Sequence, residues 1–221
     1  MTAAETLADI HARIRKAAKA AGRDPAGVTL IAISKTFDAE DIRPVLEAGQ
    51  RVFGENRVQE AAAKWPVLRA DFPGIQLHLV GQLQSNKADE AVRLFDVIHS
   101  LDRLSLVAAL AKAMTAADRR VPCFVQVNIG DEPQKGGVAI DDLPALIDMA
   151  RAAGIPLAGL MCVPPADKEP SPYFALLAKL AGRHGLAGLS MGMSADFETA
   201  VQLGATHVRV GSALFGTRET G

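Results

Sequence analysis

Leu30-Ile31-Ala32-Ile33-Ser34-Lys35 is a short apolar run that ends on a charged residue, and its reading decides the fold. Both faces of the run are apolar, as in a parallel strand with helices packed outside it. Period-two alternation puts Ile31, Ile33 and Lys35 on one face, with Lys35 where the strand stops. Asp38 follows as a helix cap, and Ile42, Val45 and Leu46 supply the apolar face of that helix.

The same strand-then-helix rhythm repeats along the chain. Strands are expected at Thr29–Ser34, Arg51–Phe53, Gln76–Val80, Asp96–His99, Val121–Asn128, Leu157–Met161, Ala187–Leu189 and Thr206–Val210. Buried helical stripes are expected from Leu104, Val107, Leu110, Ala111 and Met114, and from Leu143, Ile147 and Ala150 with Pro144 in the first turn. Ser194 is a candidate cap for a helix that Gly204 ends, and a further helix, roughly Ala4 to Ala20, precedes the first strand. Eight strands, each followed by a helix, fit a single α/β domain over 1–221, a (β/α)8 TIM barrel with an extra N-terminal helix. An open doubly wound sheet fits less well, because no Gly-x-Gly-x-x-Gly follows the first strand.

Composition excludes several function classes. Net charge is -1, with 24 basic and 25 acidic residues, one Trp and one Tyr, so nothing forms a nucleic-acid footprint. No apolar run reaches the ~18 residues of a membrane span, and the first twenty residues interleave acids and bases, unlike a secretory signal. A cytoplasmic protein is expected. Cys123 and Cys162 stand in apolar surroundings and read as buried free thiols, and the five histidines form no metal-ligand pair.

In a barrel of this kind chemistry sits at the C-terminal ends of the strands. A lysine there, approached through apolar residues, loses water, and an amine out of water favours the neutral form that attacks an aldehyde. Lys35 is such a residue, although a plain surface lysine would look the same. The loops after strands seven and eight carry Gly192, Ser194, Gly211 and Ser212, small residues that let backbone N–H groups approach a phosphate. Arg209 lies between Val208 and Val210 and faces the barrel interior if they face the helices; it then needs an acid or a ligand as acceptor.

Several motifs occur in order along nearly the whole chain. They are Ile33-Ser34-Lys35, Phe53-Gly54-Glu55-Asn56, the run His78 to Lys87, Val127-Asn128 with Lys135-Gly136-Gly137, and Gly159-Leu160-Met161. Ser190-Met191-Gly192-Met193-Ser194 with Asp196, and Val208-Arg209-Val210-Gly211 with Phe215-Gly216, complete the set. Through these residues the sequence resembles the YggS/PROSC family of pyridoxal-phosphate-binding homeostasis proteins, related to the barrel domain of alanine racemase (fold type III). The resemblance implies that Lys35 holds pyridoxal 5′-phosphate as an internal aldimine, that Asn56 lies beside the cofactor, and that Ser194, Gly211 and Ser212 form its phosphate cup. It implies Arg209 at the pyridine nitrogen, with His78, Met191 and Met193 lining the pocket. An arginine there disfavours protonating that nitrogen, so the ring becomes a weaker electron sink.

The implied function is vitamin B6 homeostasis without robust turnover, with pyridoxal phosphate and apo-enzymes that use it as partners; nothing in the sequence demands a dimer, so a monomer is expected. The segment 163–170 looks short for the family and Asp89 departs from its pattern, which bears on partner surfaces rather than on binding. An amino-acid racemase is the alternative, needing a second acid–base group that only Tyr173 could supply. Such racemases carry a β-domain after the barrel, whereas this sequence stops at Gly221. A cofactor-free Schiff-base aldolase would use Lys35 on a sugar phosphate but leaves the ordered motifs unexplained.

Overall fold

The computed structural model describes residues 1–216; the remainder of the expected 1–221 domain lies outside them. Each short apolar run forms a strand: β1 Thr29–Ile33, β2 Val52–Glu55, β3 Gln76–Leu79, β4 Val97–Leu101, β5 Cys123–Gln126, β6 Leu157–Met161, β7 Gly188–Ser190 and β8 His207–Val210. They close in sequence order into a parallel barrel, with β8 returning to β1 in the register Thr29↔His207 through Ala32↔Val210. The helices are α1 Ala3–Ala20, α2 Ala39–Glu47, α3 Val58–Asp71, α4 Ala88–Leu94, α5 Leu104–Ala117, α6 Leu143–Ala152, α7 Ser171–Arg183, α8 Phe197–Gln202 and α9 Ser212–Phe215. The architecture is therefore the (β/α)8 barrel that the strand rhythm predicts.

Alternation along each strand sorts side chains into two layers. Leu30, Ala32, Val208 and Val210 join the apolar layer between sheet and helices. Ile31, Ile33 and Arg209 stand on the other face, inside the barrel. Gly54 faces them, since a Cβ there would lie 2.6 Å from Ile33 Cδ1 and 2.8 Å from Ile31 Cγ2. Barrel interiors are usually filled by branched aliphatics. Here the floor is aromatic instead: His99 stacks on Phe124 with centroids 4.4 Å apart, and His207 meets Phe124 edge-on at 5.0 Å.

α1 begins with a reciprocal cap between Thr2 and Glu5 and buries Leu7, Ile10, Ile14, Ala17 and Ala18. It packs on α2, α8 and α9, where Arg13 pairs with Glu198 at 2.9 Å and covers the Phe197 ring. Asp38 caps α2 as expected, and Ile42, Val45 and Leu46 are buried.

Three sequence expectations are corrected. The buried face of α5 is Leu106, Val107, Leu110, Ala113 and Met114; Leu104, in the first turn, is 55% exposed and Ala111 is only half-buried. The fifth strand is shorter than Val121–Asn128: Pro122 has no N–H to donate, and beyond Gln126 the chain turns to an isolated bridge from Val127 to Val138. The second strand begins at Val52 and extends to Glu55, a fully buried acid, rather than ending at Phe53.

Candidate functional site

A cavity of about 500 Å³ opens at the C-terminal end of the strands, between β1, β2, β7 and β8. Seven of the residues singled out from the sequence line it: Lys35, Asn56, Met193, Ser194, Arg209, Gly211 and Ser212. Ile33, Val80, Val163 and Ala195 complete the wall. His78 and Met191 do not line it. Met191 is fully buried in the layer between sheet and helices, because Ser190, its neighbour on the strand, takes the inward position. His78 lies lower, inside the barrel.

One corner of the cavity gathers backbone N–H groups. Ser194 Oγ accepts hydrogen bonds from the N–H groups of Gly211 at 3.2 Å and Ala213 at 3.3 Å. The serine thus ties the β7–α8 loop to the first turn of α9. It does not cap α8: Asp196 stands at that position and makes no side-chain cap, turning instead to accept from the Met193 N–H at 2.6 Å. Ser212 opens α9, so its N–H has no partner within the helix. At Gly211 a Cβ would press on Ile33, 3.3 Å from its Cβ. Gly192 needs its φ of +91°, and a Cβ there would sit 2.5 Å from that of Ala200.

Arg209 forms the opposite wall and is 5% exposed. Its Nη1 donates to Ser190 Oγ at 2.7 Å and its Nη2 to the Cys162 carbonyl at 2.8 Å. Burial pulls the guanidinium below its usual range, with the nearby Cys162 and Asp196 opposing that shift. No carboxylate pairs with it among the described residues, and three of its five N–H groups remain for other acceptors.

Below Arg209 a hydrogen-bond chain runs through the barrel floor. Ser190 Oγ lies 2.9 Å from His99 Nδ1, and His99 Nε2 lies 2.9 Å from His78 Nδ1. Arginine can only donate, which fixes the first link: Ser190 accepts from Arg209. The tautomers of His99 and His78 set the direction of the other two, and His78 Nε2 has no partner among the described residues. Burial, then the neighbouring charges, drives the imidazoles down: His78 to about 3, His207 to about 4, and His99 well below its ordinary value. All three are neutral at physiological pH, so Arg209 is the cation of this floor.

Lys35 is exposed at the rim, which corrects the expectation that its apolar approach removes it from water. Its ammonium has no hydrogen-bond or ion-pair partner among the described residues. Behind it lies a buried polar cluster that sequence reasoning did not single out. Glu55 Oε1 accepts from Ser34 Oγ at 2.6 Å, Lys64 Nζ at 2.8 Å and Trp65 Nε1 at 3.0 Å. The missed signal was the alternation Phe53-Gly54-Glu55-Asn56. With Gly54 facing the barrel interior and Asn56 the cavity, Glu55 must face α3, where a buried acid needs donors.

Asn56 also borders a second, smaller cavity of about 270 Å³ with Gln82, Gln126, Asn128 and Lys135. Gly81 permits this junction: a Cβ there would lie 2.2 Å from the Asn56 carbonyl oxygen. Cys123 and Cys162 are free and buried, and burial pushes each thiol up to about 12. Among the described residues no helix is long and apolar enough to cross a membrane, and no group of three or more His, Cys, Asp or Glu could hold a metal.

Comparison with known proteins bears on this geometry. The alanine racemase N-terminal domain family matches residues 6–219. A pyridoxal phosphate homeostasis protein of Pseudomonas aeruginosa is 43% identical over 226 residues, covering 100% of this chain and 97% of the relative. The protein of that name from Escherichia coli K12 is 36% identical, over 98% of this chain and 97% of its own. The structure of PipY from Synechococcus elongatus, with PLP bound, superposes with a TM-score of 0.86 at 38% identity, covering 97% of this chain and 100% of that one. An alanine racemase of Clostridium difficile 630 shares the fold alone, at 14% identity and a TM-score of 0.70 over 57% of its chain.

Proposed function

The chain belongs to the alanine racemase N-terminal domain family and, within it, to the pyridoxal phosphate homeostasis proteins; on that premise we propose that it binds pyridoxal 5′-phosphate in the cavity between Lys35 and Arg209 and serves the homeostasis of that compound. The observation that carries the reading is the convergence of an amine, an anion corner and a buried arginine on one cavity. These residues fit the group. When bound, pyridoxal phosphate supplies a reactive aldehyde and an electron-accepting ring.

Lys35, at the rim and without a partner among the described residues, is the amine for the aldehyde. Ser194 orients the N–H groups of Gly211 and Ala213, and with Ser212 it provides the phosphate corner. Arg209, locked by Ser190 and the Cys162 carbonyl, would donate to the ring nitrogen. Asn56, just past β2, would stand beside the ring. Because Arg209 can only donate, it favours an unprotonated ring nitrogen, and that weakens the electron sink on which amino-acid chemistry depends. This supports a carrier over a turnover catalyst. Racemisation needs a second acid–base group at the cavity. Tyr173 instead lies on α7, packed against the core and outside the lining.

The same reading takes the protein to act as a cytoplasmic monomer that exchanges pyridoxal phosphate with apo-enzymes. Its buried free thiols suit a reducing compartment. Titration of the protein with pyridoxal 5′-phosphate, followed by absorbance, tests the reading. Saturation at one equivalent per chain, with a yellow band absent from Lys35→Ala, is expected. A protein that stays colourless and takes up no ligand sinks it.

A further inference from the structure

The turn that carries Lys35 is strained and is held from behind. Thr36, the next residue, has φ +66°, a left-handed conformation that a β-branched residue rarely adopts. Ser34 and Phe37 bracket these two residues, and the Phe37 N–H closes the turn on the Ser34 carbonyl at 3.2 Å. Phe37 in turn stacks on Phe215 with centroids 4.9 Å apart.

Lys64, on α3, reaches this turn with two of its three ammonium hydrogens. It donates to the Ser34 carbonyl at 2.7 Å, to the Phe37 carbonyl at 2.8 Å and to Glu55 Oε1 at 2.8 Å. Its side chain is 10% exposed and that of Glu55 is 0% exposed. A lysine present only to neutralise Glu55 would need the carboxylate alone. Two of its three bonds go instead to the carbonyls flanking Lys35-Thr36, and Ser34 Oγ ties the same turn to Glu55 at 2.6 Å.

We propose that Lys64 is a positioning residue for Lys35: its buried ammonium clamps the Ser34 and Phe37 carbonyls and so fixes where the Lys35 amine meets an aldehyde. The inference rests on the reading of Lys35 as the amine of this site. It also explains which lysine reacts. Lys64 spends every hydrogen on an acceptor, whereas Lys35 stands exposed with none among the described residues. In the capture step the Lys35 ammonium first gives a proton to solvent. The amine nitrogen then forms a double bond to the aldehyde carbon, and the aldehyde oxygen leaves as water with the two amine hydrogens. No oxidant or reductant is required.

Removing Lys64 alone strands a buried carboxylate and risks the fold, so the test uses Glu55→Gln with Lys64→Met, which removes both charges, beside Lys64→Met. Three readouts separate positioning from general damage. One is amide hydrogen exchange at residues 35–37 of the ligand-free protein. Another is affinity for pyridoxine 5′-phosphate, which has the ring and phosphate but no aldehyde. The third is the rate of aldehyde capture from pyridoxal 5′-phosphate.

In the double variant, exchange at the turn rises about tenfold. Pyridoxine phosphate affinity stays within about twofold, while capture slows by roughly tenfold or more. Wild-type exchange and capture in that variant overturn the proposal. An equal fall in capture and in pyridoxine phosphate affinity also overturns it, because it marks a merely structural role. If the wild-type protein captures no aldehyde at all, the function reading falls and the exchange result alone decides whether Lys64 holds the turn.

Discussion

Two buried serines offer a paired perturbation whose outcome follows from hydrogen-bond accounting. Ser190 and Ser100 are both 0% exposed, and serine-to-alanine removes one oxygen at each. Ser190 Oγ accepts from the Arg209 guanidinium at 2.7 Å and meets His99 Nδ1 at 2.9 Å. Ser100 Oγ has no partner among the described residues. Ser190→Ala strands a charged donor and a ring nitrogen in the barrel floor. A bond to a charged group is worth about 1.5–3 kcal/mol and a neutral one about 1, so the loss is about 3 kcal/mol. Ser100→Ala relieves an unsatisfied hydroxyl and leaves stability unchanged or about 1 kcal/mol higher. Urea unfolding of the ligand-free variants at pH 7 reads both, and Tm shows the first as a fall of about 6–12 °C. Equal effects of the two substitutions, within about 0.5 kcal/mol, would refute the bridge that Ser190 makes between Arg209 and His99.

The barrel was legible in the sequence because its signals are local. Buried parallel strands must be short apolar runs, and the helices between them show their stripes, so all eight strands fall where the rhythm places them. What failed were boundaries and directions. Leu104 carries an apolar side chain in the right period yet lies in a first turn open to water, which period alone cannot reveal. Ser194 has the chemistry of a cap, but its acceptor serves amides on another loop, 17 and 19 residues onward, a contact that exists only once the barrel closes. The seven cavity residues were readable because strand ends in a closed barrel converge whatever their distance in sequence. The floor chain and the Lys64 clamp were not. His78, His99, Ser190, Glu55 and Lys64 are scattered along the chain, and only registration of the strands brings them within 3 Å of their partners.

Further outcomes follow from the same geometry. Gly81→Ala drives a Cβ to 2.2 Å from the Asn56 carbonyl oxygen, so backbone must shift; we expect a loss of about 1–3 kcal/mol in urea unfolding and weaker ligand binding, against the unchanged values that a loose junction would give. The floor histidines make stability pH-dependent. Their folded pKa values are depressed below the unfolded value, so the stability they contribute is present above about 6.5 and is lost as pH falls toward 4 and 3. With His78, His99 and His207 each taking up a proton on unfolding, the slope below pH 6 approaches about 4 kcal/mol per unit, and a flat profile from pH 7 to 5 would contradict neutral imidazoles. Cys123 and Cys162, with thiols pushed up to about 12, should resist a thiol reagent at pH 8 until urea unfolds the chain; rapid labelling of the native protein would show the sites to be open.

The central claim is that one amine, Lys35, takes the aldehyde of pyridoxal phosphate in a cavity whose far wall is Arg209. Borohydride reduction of the loaded protein, followed by peptide mapping in the mass spectrometer, tests it most directly. The account predicts a single pyridoxyl group on Lys35, with Lys64 unmodified. A label on Lys64, Lys135 or another lysine while Lys35 stays bare would contradict it.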